Sequence, residues 1–144
     1  MEFEYIIENV ESLDGIAKKL YVMRNSYQVY TFTGSLGAGK TTLIKRLIAQ
    51  WGISQKDIVS PTFAYLNIYN ATYDTILYHF DLYRLHDFRE FFEMGFNEYL
   101  YLENSWSFIE WPRIIEPLLT HNVCSITIDF VSETQRKLVI HTMQ

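Results

Sequence analysis

One cysteine, Cys124, is all that the 144-residue chain contains. Neither a disulfide framework nor a cysteine-based metal site can form within it, and a reducing compartment is expected. Cys124 sits in an apolar run and reads as a small buried hydrophobe. The four histidines, His79, His86, His121 and His141, show no metal-ligand spacing. A Gly-x-Ser-x-Gly elbow is missing, and no carboxylate pair hints at glycosidase chemistry. No apolar stretch approaches the length of a membrane span. The acidic start, Met1-Glu2-Phe3-Glu4, is unlike a signal peptide, so the cytosol is the expected location. Positive charge is also scarce: 12 basic residues face 17 acidic ones, for a net charge of −5. That balance argues against broad, autonomous nucleic-acid binding, and Lys18, Lys19 and Arg24 read as the wet face of a helix. Repeats, low-complexity tracts and linkers are lacking as well.

Hydrophobic residues make up 49% of the chain and charged residues 20%, the balance of a globular domain with a real core. Most of its 11 tyrosines and 10 phenylalanines belong to that core. Gly34-Ser35-Leu36-Gly37-Ala38-Gly39-Lys40-Thr41 spells the phosphate-binding pattern G-x-x-x-x-G-K-[ST]. Glycines reach positive φ at little cost, so the backbone wraps closely around an anion and its N–H groups face one concavity. In that pattern Lys40 reaches the β- and γ-phosphates and the Thr41 hydroxyl holds Mg²⁺. The context fits. The β-branched and aromatic run at residues 29–33 reads as a buried strand. Beyond the loop, Leu43, Ile44, Leu47, Ile48 and Trp51 recur at helical spacing until Gly52 stops the helix.

Elsewhere, residues 3–8 read as a strand. Ser12 is expected to cap a helix whose stripe is Leu13, Ile16, Ala17, Leu20 and Arg24. Ser60-Pro61-Thr62 breaks the pattern, and strands at 63–69 and 75–82 flank a polar turn as a hairpin. Helices are expected at 87–93 and 97–102, interrupted at Gly95. A strand through Ser107-Phe108-Ile109 ends at Glu110-Trp111. Pro112 opens a helix that Pro117 keeps short, and strands at 123–130 and 137–141 enclose a turn at 132–135. Together these predict one α/β domain over residues 1–144, with central parallel strands, helices on their faces and an antiparallel part appended. Ligands in such sheets lie at the carboxyl ends of strands, where the loop falls.

Hydrolysis needs more than a phosphate loop: a carboxylate near Mg²⁺ and a group that orients the attacking water. Asp81 ends a strand on which alternation places Leu77, His79, Asp81 and Tyr83 on one face. It either holds Mg²⁺, directly or through water, or is a solvated turn acid or a partner of Arg84. Glu110 closes a buried strand and either serves metal or water or is a helix-terminal acid before Pro112. Thr62 either touches metal or γ-phosphate, as switch loops do, or is a plain turn residue. His79 reads as a core or hydrogen-bonded histidine.

Four blocks together resemble one family. They are Gly34 to Thr42, Ser60-Pro61-Thr62-Phe63, His79-Phe80-Asp81-Leu82-Tyr83-Arg84 and Ile109-Glu110-Trp111. In that order they resemble the TsaE (YjeE) ATPases of bacterial tRNA threonylcarbamoyladenosine biosynthesis. The resemblance implies a P-loop NTPase-like three-layer fold, a central mostly parallel sheet with helices on both faces and an antiparallel hairpin. It implies a small cytoplasmic Mg²⁺-dependent ATPase, weak on its own. That ATPase would act with TsaB and TsaD homologues to reset their complex, meet tRNA only through that complex, and not perform the transfer itself. By position, the resemblance assigns ATP binding to Gly34, Ser35, Leu36, Gly37, Ala38, Gly39, Lys40, Thr41, Thr42 and Arg136. Mg²⁺ falls to Thr41, Glu110 and Asp81, and catalytic support to Asp81, Glu110 and Thr62. Trp111 is expected near the nucleotide or a partner. Ser35 departs from the family, which usually carries an acid there. Two alternatives stay open: a small-molecule kinase with the same loop, and a nucleotide-gated binding module without useful hydrolysis.

Overall fold

The run Val29–Thr33 forms β2, and it is apolar because both of its faces are covered. The computed structural model describes residues 1–61 and 64–144. Around β2 the chain builds β1 (Glu2–Ile7), α1 (Leu13–Val22), α2 (Lys40–Ala49), β3 (Leu66–Asn70) and β4 (Ile76–Asp81). It continues through α3 (Phe88–Glu93), β5 (Ser105–Glu110), β6 (Val123–Phe130) and β7 (Arg136–Met143). The strands form one mixed sheet in the order β1-β7-β6-β2-β5-β4-β3. The four central strands, β6, β2, β5 and β4, are parallel; β3, β7 and β1 join antiparallel at the two rims. The expected parallel sheet with an appended antiparallel hairpin is therefore present, and β1 and β7 extend the antiparallel part.

Strand alternation divides the core in two. Tyr30, Phe32, Leu77, Phe108 and Ile126 face α1 and α2, which bury Leu13, Ile16, Ala17, Leu20, Leu43, Ile44, Leu47 and Ile48 against them. Val29, Tyr78, Phe80 and Ile109 point the other way, onto Phe91 of α3, Phe96 and Ile115. Cys124 is fully buried on the α1/α2 side, and burial pushes its thiol up to about 12. Tyr30, also buried there, donates its hydroxyl to the carbonyl of Leu20 at 2.7 Å and ties the sheet to α1. Among the described residues no helix is long and apolar enough to cross a membrane.

Several local expectations are corrected. Ser12 does not cap α1 with its side chain; the carboxamide of Asn9 accepts from the Ser12 N–H at 3.0 Å and caps the 3₁₀ turn that leads into the helix. Arg24 lies beyond α1 in a 3₁₀ turn, stacked on Tyr21 at 3.9 Å, and not on the buried stripe. The segment predicted as a helix at 97–102 is one 3₁₀ turn, Phe96–Tyr99, because Gly95 and Tyr101 on either side adopt positive φ. The segment after Trp111 is also 3₁₀, Pro112–Leu118, and Pro117 sits inside it. Strand β3 begins at Leu66, and Phe63 lies outside the described residues.

Leu47 is fully buried between α2 and the sheet. Leu47→Ala is expected to cost about 2–5 kcal/mol, read as a lower urea midpoint with an unchanged m-value.

Candidate nucleotide site

The carboxyl ends of β2, β4 and β5 lie side by side, and pairing fixes what stands there. Phe32 is in register with Glu110, and Asp81 with Glu110. The chain leaves β2 through Gly34 and turns into α2 at Lys40. Gly34 has φ 155, and a Cβ there would strike the carbonyl oxygen of Ile128, so only glycine lets the loop lie this close to β6. Gly39 has φ 112 and makes the left-handed turn that starts α2, where the Leu43 N–H closes the first helical bond to its carbonyl at 3.0 Å.

Lys40 is only 5% exposed. Its ammonium donates to the carbonyls of Gly34 at 2.6 Å and Ser35 at 2.9 Å and lies 4.4 Å from the centre of the Trp111 ring. Burial holds its pKa below the ordinary lysine value, opposed by the charges of Glu110 and Asp81. Thr41 donates its hydroxyl to Glu110 Oε1 at 2.9 Å, a bond that joins the loop helix to β5. Glu110 is 3% exposed, and its Oε2 lies 2.9 Å from His79 Nε2. Asp81 is half-buried and accepts the Tyr83 N–H at 3.1 Å. Burial raises its carboxyl above the usual value, and that backbone bond opposes the rise. Tyr83 therefore lies past the end of β4, capping Asp81, and does not continue the strand face. Trp111 holds φ 58 and packs against Tyr83, ring centres 4.9 Å apart.

These groups surround a cavity of about 230 Å³ lined by Leu36, Gly37, Gly39, Lys40, Thr41, Thr42, Asp81, Glu110 and Trp111. A second cavity, about 160 Å³, opens on the other side of the loop and shares Gly37, Gly39 and Thr42 with the first. Its walls include Ile7, Val10, Leu13, Ala38, Thr134 and Arg136. Arg136 donates Nε to the Ala38 carbonyl at 3.3 Å and Nη1 to the carbonyls of Ser132, Glu133 and Gln135, and it stacks on Phe130. It braces the loop from the last strand. Ser35 is exposed, and its contribution to the site is its main-chain carbonyl. Larger cavities of about 330 and 460 Å³ lie around Arg24 and Trp106, but neither brings the loop and the strand-end acids together.

Thus Lys40, Thr41, Asp81 and Glu110 converge, Arg136 stands beside the loop, and Thr62 lies outside the described residues. His79 is the buried, hydrogen-bonded histidine the sequence predicts, but its partner Glu110 and a second cavity escape sequence reasoning. Shared parity with Asp81 was the available signal for the partner; strand register was not. The second cavity, built partly from Ile7, Val10 and Leu13, joins parts of the chain distant in sequence and left no local pattern to read.

The donor set suits a small, hard divalent cation. A hydroxyl and two carboxylates are oxygen ligands, and Mg²⁺ is usually held by one or two carboxylates plus substrate phosphates. Among the described residues no group of three or more His, Cys, Asp or Glu side chains forms a cage of its own.

Comparison with known proteins places this geometry in context. Residues 7–138 match the family model described as threonylcarbamoyl adenosine biosynthesis protein TsaE. A Rickettsia felis protein named tRNA threonylcarbamoyladenosine biosynthesis protein TsaE is 35% identical over 95% of this chain and 78% of its own length. The Bacillus subtilis protein of the same name is 33% identical over 90% of this chain and 79% of its own. The crystal structure of Bacillus subtilis YdiB superposes with a TM-score of 0.78 at 27% identity, covering 100% of this chain and 87% of that one.

The raised pKa of Asp81 has a consequence for stability. A carboxyl that binds its proton more tightly in the fold favours folding below its unfolded pKa, and loses that contribution as pH rises through the folded value. At neutral pH the ionised side chain therefore favours the fold less than its neutral form would. Asp81→Asn keeps an acceptor for the Tyr83 N–H, and is expected to raise the urea midpoint at neutral pH. The gain should shrink on acidification into the carboxylate range.

Proposed function

The chain belongs to the TsaE family of threonylcarbamoyl adenosine biosynthesis proteins, and from that membership we propose that it is a Mg²⁺-dependent ATPase of the tRNA modification pathway. It binds ATP on residues 34–42 and acts in the cytoplasm with homologues of TsaB and TsaD. Hydrolysis resets their assembly, and tRNA is met through that complex. The observation that carries this reading is the Thr41–Glu110 bond, which sets the hydroxyl of the loop against a buried strand-end acid beside Lys40.

In this reading the phosphates occupy the 230 Å³ cavity beside Lys40. The ammonium exchanges the carbonyls of Gly34 and Ser35 for anionic oxygens, and the loop amides and the start of α2 add to the attraction. Thr41 and Glu110 hold Mg²⁺. Bound there, the ion would neutralise charge developing on the transferred phosphoryl group. Asp81, half-buried on the neighbouring strand end, would orient water or an outer cation ligand. The base of the nucleotide lies in the 160 Å³ cavity, whose Ile7, Val10 and Leu13 walls suit a flat ring. Arg136 supports that side by holding the Ala38 carbonyl.

Two outcomes check the assignment. Charge-assisted hydrogen bonds contribute about 1.5–3 kcal/mol each, so Lys40→Ala is expected to lower Mg²⁺–ATP affinity tens of fold or more by calorimetry. Unchanged affinity would remove the loop from the function. Thr134→Trp fills the second cavity at its rim, and it is expected to weaken ATP while leaving inorganic triphosphate binding intact. Equal losses for both would place the base elsewhere.

A further inference from the structure

His79 has a place that packing alone does not explain. It is fully buried on β4, on the face shared with Leu77 and Phe108, in the core beneath α1 and α2. Its neighbours on that face, Leu77 and Phe108, are apolar. The imidazole instead brings two ring nitrogens into the core, and among the described residues only one finds a partner: Nε2 lies 2.9 Å from Glu110 Oε2, while Nδ1 has none. A buried polar atom left without a hydrogen bond destabilises the fold, so Glu110 is the contact that accounts for the residue.

The same observations favour one tautomer. Were the proton on Nδ1, the bare Nε2 would face a carboxylate oxygen lone pair to lone pair at 2.9 Å, and an N–H would be stranded in the core. With the proton on Nε2, that nitrogen donates to Glu110 and only a lone pair at Nδ1 is unpartnered. His79 is thus a donor to Oε2 as Thr41 is a donor to Oε1. Glu110 on β5 is held from β4 on one side and from the first turn of α2 on the other.

We propose that His79 is a positioning residue, one that fixes the Glu110 carboxylate as a ligand for the divalent cation. The proposal rests on the reading of this site as a Mg²⁺–nucleotide centre. Holding Oε2 stops the carboxylate from turning about its bond to Cγ and leaves Oε1, the oxygen shared with Thr41, toward the loop. Without the imidazole the acid keeps one donor and loses its fixed orientation, and the cation finds a site that must be ordered on binding.

The test uses Mn²⁺ as the probe and the reach of the side chain as the variable. A glutamine amide nitrogen falls near the position of Nε2, whereas that of asparagine stops near Nδ1, short of Glu110. Free Mn²⁺ is followed by electron paramagnetic resonance as it is titrated into the whole protein with a non-hydrolysable ATP analogue. Binding of the analogue is measured separately in EDTA. Outer-sphere partners of metal ligands typically govern about 10–100-fold in affinity, so His79→Asn and His79→Leu are expected to weaken Mn²⁺ by that factor. His79→Gln should recover most of it, and binding in EDTA should stay within about twofold throughout. If His79→Leu does not fold, the Asn and Gln pair carries the comparison. Equal Mn²⁺ affinity in the Asn and Gln variants would overturn the proposal, as would a parallel loss of binding in EDTA. Wild-type protein that takes up no Mn²⁺ with the analogue would instead overturn the nucleotide reading on which the proposal stands.

Discussion

Parallel pairing of β2, β5 and β4 is the constraint on which the site depends. Glu110 stands opposite Phe32 on one side and Asp81 on the other. Because strand side chains alternate, sliding β5 by one residue would turn Glu110 away from α2 and bring Ile109 to face Thr41. The register is held by what lies deeper in the sheet: Phe108 must face Tyr30 on the α1/α2 side, and Ile109 must enter the opposite core. Two apolar clusters, sorted by parity, thereby aim one carboxylate at one hydroxyl. The backbone bond from Leu82 N–H to the Glu110 carbonyl, 3.1 Å, fastens β4 to β5 just past the acids.

This arrangement carries a cost. Burial shifts Lys40 and Asp81 toward their neutral forms, and His79 leaves a ring nitrogen without a partner among the described residues. Each is kept in place by well-packed neighbours: α2 buries Leu43, Ile44, Leu47 and Ile48 on the sheet, and the loop is braced by Arg136 from β7. An anion beside Lys40 and a cation near Asp81 would offset the first two of these costs, so ligand binding and folding would draw on one set of contacts.

Much of this was legible in the sequence where it is written locally. The glycines and Lys40-Thr41 mark the loop, the spacing Leu43, Ile44, Leu47, Ile48 marks the buried face of α2, and the apolar run before Glu110 marks β5. The errors arise where two local signals compete. Ser12 and Asn9 are both good caps three residues apart, and the chain enters α1 through a 3₁₀ turn that uses the earlier one. The 3₁₀ turns after Gly95 and Trp111 have helical composition but are too short, or too rich in proline, to propagate an α-helix. The His79–Glu110 contact and the cavity beside Ile7 depend on register and on strand order, which no window of sequence contains.

The ammonium of Lys40 is held within its own loop. It is bonded to the carbonyls of Gly34 and Ser35, so the loop supplies its own internal counterpart to a phosphate. The direction of that charge is therefore set by the main chain of the loop itself, so a substitution that bends the backbone at Gly34 or Ser35 would redirect the lysine as well.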